Sequence, residues 1–225
     1  MAKAALVTGG SSGIGLAIAG MLRDEGYGLT LAARNRERLD DAAADLGAEA
    51  VAADVASEED CERIVATHRE RYGSLDVLVN SAGVGVAARI ADLPTKHWDL
   101  QFGVNLRGAF LVTRFALPLL KEARGLVVNV SSIAGTMPAP GLAAYGAAKA
   151  GLISLTRSLN AEHGDDGVRA TAICPGFVDT PMAAWTGMAS EEMIQPEDCA
   201  EVVRTLLKLS PSARIPQVVI ERLGG

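Results

Sequence analysis

Ala4-Ala5-Leu6-Val7-Thr8-Gly9-Gly10-Ser11-Ser12-Gly13-Ile14-Gly15 is the stretch on which the reading of this chain turns. A short, continuously apolar run gives way to a loop of small residues, and from Gly13 onward the pattern is helical. Small residues let the backbone bend sharply between a strand and a helix and leave it bare on one side. The first N–H groups of the helix have no partner of their own, so they offer donors together with the positive end of the helix dipole. That is the local geometry for cradling a pyrophosphate, and the strand before it and helix after it separate the loop from a chance cluster of glycines.

Outward from this loop the same alternation recurs. Apolar runs at Ala4–Thr8, Gly28–Ala33, Ala50–Asp54, Leu75–Asn80, Leu126–Ser131, Arg169–Ile173 and Gln217–Glu221 read as strands buried on both faces. Helices are predicted over 13–25, 36–46, 58–72, 95–122, 143–163 and 197–209. Ser57-Glu58-Glu59-Asp60 carries an N-cap hydroxyl followed by acids, and Pro196-Glu197-Asp198 reads as a first turn. Strand and helix alternating over the whole chain predict an α/β fold, a Rossmann-type doubly wound parallel sheet of seven strands. At 225 residues the chain suits a single domain, residues 1–225, with no room for a separate substrate domain.

Composition narrows the function classes. With a formal net charge of −6 the chain lacks the basic footprint of a nucleic-acid binder. No apolar stretch reaches the length of a membrane span, since Gly108 to Leu120 is interrupted by Arg114 and Pro118. Cys61, Cys174 and Cys199 are odd in number and have no CxxC spacing, and Met1-Ala2-Lys3 has no signal-peptide pattern; the expectation is a cytoplasmic protein. His68, His97 and His163 lie apart in helical or boundary segments, so surface or capping roles are expected of them and no metal. Acid pairs such as Asp40-Asp41 and Glu191-Glu192 read as solvated faces, and Ser12 lacks the spacing of a nucleophile elbow.

Two further positions carry chemistry. The second strand ends in Ala33-Arg34, where a dinucleotide-binding unit would place an acid on the ribose 2′-OH of NAD. Ala33 leaves room there and Arg34 brings a cation, so a 2′-phosphate is favoured and NADP(H) is expected over NAD(H). The other is Tyr145-Gly146-Ala147-Ala148-Lys149. With 3 tyrosines and 5 lysines in the chain, random placement gives only about 0.07 such Tyr-x-x-x-Lys pairs. On a helix the spacing sets both side chains on one face. A phenol can hand a proton to a carbonyl oxygen that gains negative charge. A lysine about 5 Å away, at an effective dielectric of about 20, is expected to favour the phenolate by roughly 3 kcal/mol and bring the phenol toward working pH.

Thr8-Gly9-x-x-x-Gly13-x-Gly15, the Tyr145/Lys149 pair, Ser132 thirteen residues before Tyr145, and Asn105 in Val104-Asn105-Leu106 together resemble the short-chain dehydrogenase/reductase family, in its compact branch. The resemblance runs from Ala4 to about Ile220, is nearest to 3-oxoacyl-carrier-protein-type and related carbonyl reductases, and implies the strand order 3-2-1-4-5-6-7. It implies an NADPH-dependent oxidoreductase acting on a carbonyl or secondary alcohol, in the direction of reduction. Asn105, Ser132, Tyr145 and Lys149 would be its catalytic set: Tyr145 the acid/base, Ser132 orienting the substrate oxygen, Lys149 also holding the nicotinamide ribose, and Asn105 holding a water in a proton relay. Ser131 would have a backbone or packing role.

For the coenzyme the resemblance implies Gly9, Ser11, Ser12, Gly13, Ile14 and Gly15 at the pyrophosphate, and Arg34, Asp54 and Val55 on the adenosine side. Asn80, Ala82 and Gly83 follow the fourth strand, with Ser81 standing where the family usually has a second Asn. Pro175, Gly176, Val178 and Thr180 would border the nicotinamide. Substrate would meet Val84, Ile133, Met137, Phe177, Met182 and Trp185, mostly apolar, beneath a short lid at about 181–195. Pairing through the helices at 95–122 and 143–163, helped by the small residues Ala143, Ala144, Ala147, Ala148 and Gly151, would give a homodimer or homotetramer. Two other readings fit the scaffold: an epimerase or dehydratase that retains its coenzyme, disfavoured by the compact glycine spacing, and a coenzyme-sensing regulator, disfavoured by the intact tetrad.

Overall fold

The computed structural model describes residues 3–223. Seven parallel strands form one sheet in the order β3-β2-β1-β4-β5-β6-β7, as the alternation and the resemblance predict. They are β1 (Ala4–Thr8), β2 (Gly28–Ala33), β3 (Glu49–Ala52), β4 (Val77–Asn80), β5 (Leu126–Val130), β6 (Arg169–Pro175) and β7 (Gln217–Ile220). Around them run α1 (Gly13–Asp24), α2 (Arg36–Leu46), α3 (Glu58–Tyr72), α4 (Thr95–Phe102), α5 (Ala109–Ala123), α6 (Ala143–His163) and α7 (Pro196–Leu207).

The strands are mostly apolar along their length because alternate residues feed different cores. Ala5 and Val7 of β1, Val79 of β4 and Val128 of β5 join Ile18, Leu22, Leu39 and Val203 on the face covered by α1, α2 and α7. Leu6, Leu78 and Val127, the residues between them, join Ile64, Leu111, Leu120 and Leu159 on the face covered by α3, α5 and α6. The predicted start signals hold: Ser57 accepts a hydrogen bond from the Asp60 N–H at 3.3 Å, and Gln195 with Asp198 forms a capping box ahead of α7. No helix among the described residues is long and apolar enough to cross a membrane.

One boundary differs from the sequence expectation in a way that matters. The single helix predicted over 95–122 is divided: between α4 and α5, residues Gly103–Gly108 form a wider π turn. Such turns insert a residue into the helical ladder and redirect nearby side chains. Here the turn brings Gly108 against β3's following loop, where a Cβ would lie only 2.8 Å from the Val55 carbonyl oxygen, and it aims Asn105 at the loop after β4. Pro118 sits inside α5 on its exposed side.

A buried imidazole joins β2 to α3. His68, expected at the surface or in a cap, is fully enclosed, with Nδ1 2.8 Å from the Thr30 hydroxyl and Nε2 2.9 Å from the Ser74 carbonyl oxygen. The carbonyl can only accept, so the neutral ring carries its proton on Nε2 and Nδ1 accepts from Thr30. Burial holds its pKa below the ordinary 6.5. The unfolded chain therefore takes up this proton first, and the stability His68 supports is complete above pH 6.5 and lost as pH falls below it. Urea midpoints measured from pH 8 to pH 5 should fall across that window, with a smaller fall in His68→Gln; equal slopes would contradict the assignment.

Candidate active site

The carboxyl ends of β1, β4, β5 and β6 open onto one cleft of about 740 Å³, at the place where the strand order reverses between β1 and β4. The loop after β1 is pressed against the loop after β4. Gly9 has φ +68°, and a Cβ there would stand 2.8 Å from the Ala82 nitrogen. A Cβ on Gly15 would lie 2.4 Å from the Gly9 carbonyl oxygen, so the start of α1 can close on the loop only as glycine. The Thr8 hydroxyl accepts from the N–H groups of Ser81 and Ala82 at 3.2 and 3.3 Å, which locks the two loops together.

Ser12, the residue preceding α1, makes no side-chain cap, leaving the first-turn N–H groups of α1 uncapped beside a bare glycine wall. Those features fit an anionic dinucleotide. Gly9, Ser12, Gly13 and Ile14 line this end of the cleft with Ser81 and Gly83; Ser11 and Gly15 are not on its lining. Pro175, Gly176, Val178 and Thr180 form the opposing wall, and Thr180 comes so close to Gly13 that a Cβ there would be 2.9 Å from its methyl carbon.

Arg34, Asp54 and Val55, expected on the adenosine side, lie beyond this lining. Arg34 is exposed and makes no ion pair or side-chain hydrogen bond among the described residues. Asp54 uses one carboxylate oxygen to accept from the Ala56 N–H at 3.0 Å, and Val55 packs into the core. Asn80 is buried and its amide is committed inside the protein: Nδ2 donates to Thr113 at 3.0 Å and to Asn129 at 2.8 Å, and Asn129 in turn donates to Thr156. Its side chain therefore ties β4 to β5 and α5 instead of reaching the cleft, while Ala82 packs against the core beneath α5.

Ser132, Tyr145 and Lys149 meet at the cleft wall. Ser132 follows β5 and accepts from the Ala134 N–H at 3.2 Å, while the neighbouring Ser131 donates to the Lys149 carbonyl at 2.8 Å, the backbone role expected of it. Lys149 is almost completely buried, and its Nζ donates to the Val130 carbonyl at 2.7 Å and lies 5.6 Å from the Tyr145 ring centre. Burial lowers its pKa to about 8. Burial likewise pushes the Tyr145 phenol up, with the Ser132 hydroxyl partly opposing it. The net push on the phenol is thus upward where the sequence leads to an expected lowering, and the same dry surroundings weaken the lysine's own charge and hold its ammonium against a backbone carbonyl.

Asn105 spends both ends of its side-chain amide on Val84, accepting from its N–H at 2.9 Å and donating to its carbonyl at 2.8 Å, so the side chain clamps a loop. One further expectation is revised. Val84, expected at the substrate, packs on the core beneath α5; Gly85, Val86 and Ala87 line the cleft in its place. Ile133, Met137, Phe177, Met182 and Trp185 do line it, with Phe177 and Trp185 edge to face at 6.3 Å. A buried polar residue beside the cleft that the sequence does not single out is Gln101, on α4 and bonded to the Val86 N–H at 3.0 Å. A polar residue one helical turn before Asn105 was its only signal.

Comparison with known proteins agrees with this geometry. The family model described as short chain dehydrogenase matches residues 3–189. An uncharacterized oxidoreductase of Staphylococcus epidermidis is 36% identical over 221 residues, covering 97% of this chain and 96% of the relative. Among solved structures, an alcohol dehydrogenase from the archaeon Thermococcus sibiricus, complexed with 5-hydroxy-NADP, superposes with a TM-score of 0.91 at 32% identity, covering 98% of this chain and 97% of that one. An actinorhodin polyketide ketoreductase with NADPH gives 0.90 at 33%, covering 98% and 95%. With the glycine loop, the Ser132/Tyr145/Lys149 wall and the sheet order all in place, the chain belongs to the short chain dehydrogenase family of oxidoreductases.

Proposed function

We propose that this protein is an NADPH-dependent carbonyl reductase, with Tyr145 as the proton donor. The observation that carries the reading is the meeting of Tyr145, Ser132 and Lys149 on one wall of a cleft whose other end is an uncapped glycine loop. A bound nicotinamide coenzyme supplies the hydride. The chain's own residues do the rest. The α1 amides and Gly9–Gly15 take the pyrophosphate, Arg34 the 2′-phosphate, and Asp54 and Val55 border the adenine. Val178 and Thr180 orient the carboxamide, and Lys149 holds the ribose.

Ser132 donates to the substrate oxygen and Tyr145 presents its phenol to the same atom. A phenol whose pKa is raised by burial stays protonated at neutral pH, which suits donation in the direction of reduction. The Lys149 ammonium, titrating near 8, supplies positive charge where the phenolate forms. Among the described residues Lys149 is the only charged side chain on the cleft lining, and the pocket walls are Met137, Phe177, Met182 and Trp185, so the substrate is a neutral, apolar ketone or aldehyde. The segment 181–195 acts as its lid, closed at the base by the bridge between Val178 and Ile194. Three free, buried cysteines suit a reducing cytoplasm. Exposed Trp98 on α4 and Phe110 on α5, beside the small-residue face of α6, suit a homodimer or homotetramer.

Tyr145→Phe should lose at least about a thousandfold in kcat at unchanged coenzyme affinity, as general-acid contributions of this size are common. Wild-type reduction should decline as pH rises past about 8, where Lys149 gives up its proton. Normal turnover in the phenylalanine variant rejects the mechanism. The ratio of kcat/KM for NADPH over NADH should exceed about ten and fall by about tenfold or more in Arg34→Ala, the worth of a charge-assisted bond; a preference for NADH overturns the coenzyme assignment. Light scattering at micromolar concentration should give a dimer or tetramer, and a monomer would refute the pairing.

A further inference from the structure

Between β4 and the first turn of α4, residues Gly83–Ala88 run extended along the mouth of the cleft, and this short segment is held from both sides. On one side stands α4 with the π turn that follows it. Asn105 holds both backbone groups of Val84, and Gln101, four residues earlier, accepts from the Val86 N–H at 3.0 Å. Residues four apart on a helix share a face, and residues two apart on an extended chain point their backbone groups the same way, so the two amides form successive rungs. On the other side, the Ala88 N–H donates to Gly141 at 2.8 Å, pairing the segment with Leu142, the residue from which α6 starts.

Gln101 is the odd member of this arrangement. It is the only buried residue of α4 and is 0% exposed. An apolar side chain of the same length would fill that space without a polar group to satisfy. What the amide adds is an acceptor for Val86, while its Nε2 is satisfied by the His97 carbonyl at 3.1 Å. The half-buried Val86 N–H has no other hydrogen-bond partner among the described residues, so Gln101 alone fixes its position. Downstream of this bond lies the site. Gly85, Val86 and Ala87 line the cleft, and Gly85 faces the Tyr145 ring, which a Cβ there would approach to 3.8 Å.

We infer that Gln101 is a positioning residue for carbonyl reduction: by holding Val86 it sets the spacing between the cleft wall and the Tyr145 hydroxyl, and with it the placement of the substrate oxygen. The inference rests on the reading of the site given above. It concerns the substrate side alone, because the glycine loop is secured independently through Thr8 and Ala82.

Gln101→Met keeps the volume and removes the acceptor; Gln101→Glu keeps an acceptor for Val86. In the methionine variant kcat/KM for a carbonyl substrate should fall about tenfold to a hundredfold, as small displacements of reacting groups do. The dissociation constant for NADPH should stay within about twofold, and the glutamate variant should recover part of the loss. Two readouts need no turnover. Backbone hydrogen exchange over residues 83–88 should quicken in Gln101→Met more than in Gln101→Glu. The Tyr145 phenol, isolated by subtracting the spectrum of Tyr145→Phe, should titrate at lower pH in the methionine variant, where its ring is less enclosed. A methionine variant with wild-type kcat/KM, or one whose loss matches an equal loss of coenzyme affinity, overturns the inference. If the wild type reduces no carbonyl, the functional reading fails by itself, and unchanged exchange together with an unchanged phenol titration then overturns the role of Gln101 separately.

Discussion

Burial of the sheet on both faces is the constraint from which the rest of this structure follows. A parallel strand covered on each side can carry almost nothing but apolar side chains along its length, and β1, β4 and β5 are fully buried throughout. Polar chemistry is thereby driven to the strand ends. The carboxyl ends receive it here because β1 and β4 diverge in the order of winding, and the loops that leave them turn away to opposite faces. Polar side chains that remain inside, such as Asn80, Asn129 and Thr156, hydrogen-bond to one another across neighbouring elements, although the buried Asn80 Oδ1 has no partner.

The same dryness shapes the electrostatics of the site. Tyr145 and Lys149 are both pushed toward their uncharged forms, the phenol upward and the ammonium downward. In water each would hold its usual state at little cost. Behind the cleft wall charge is disfavoured in the resting protein, and opposite charges that arise together there attract more strongly than they would in water.

Where the sequence was legible, the signal was local. Continuous apolar runs located all seven strands to within a few residues, because burial on both faces leaves no other pattern. The glycine loop was readable since its need for bare backbone is met within eight residues, and Tyr145 with Lys149 because a helix converts their spacing into a shared face. What escaped the sequence depends on contacts between distant segments. Nothing in Val84-Gly85-Val86 says which valine turns inward; the answer comes from Asn105 and Gln101 seizing the backbone from another helix. The break in the helix at Gly103–Gly108 is likewise set by the approach of Gly108 to Val55. The spacing of Lys149 from Tyr145 fixes their shared face, while the burial that shifts both groups lies outside it, since spacing reveals distance and says nothing of solvent.

The bridge between Val178 and Ile194 separates two jobs that many enzymes entangle. Its paired hydrogen bonds, Asp179 to Ile194 and Ile194 to Phe177, close the base of the segment that overhangs the pocket, so the chain beyond it is a loop with fixed ends. Lengthening such a loop is cheap, about 0.6 kcal/mol for each doubling. On the proposed reading of the pocket, added length within residues 181–192 would reshape its rim at little cost to the sheet and the Tyr145 wall. The rim would then be a part that varies without renegotiating the fold.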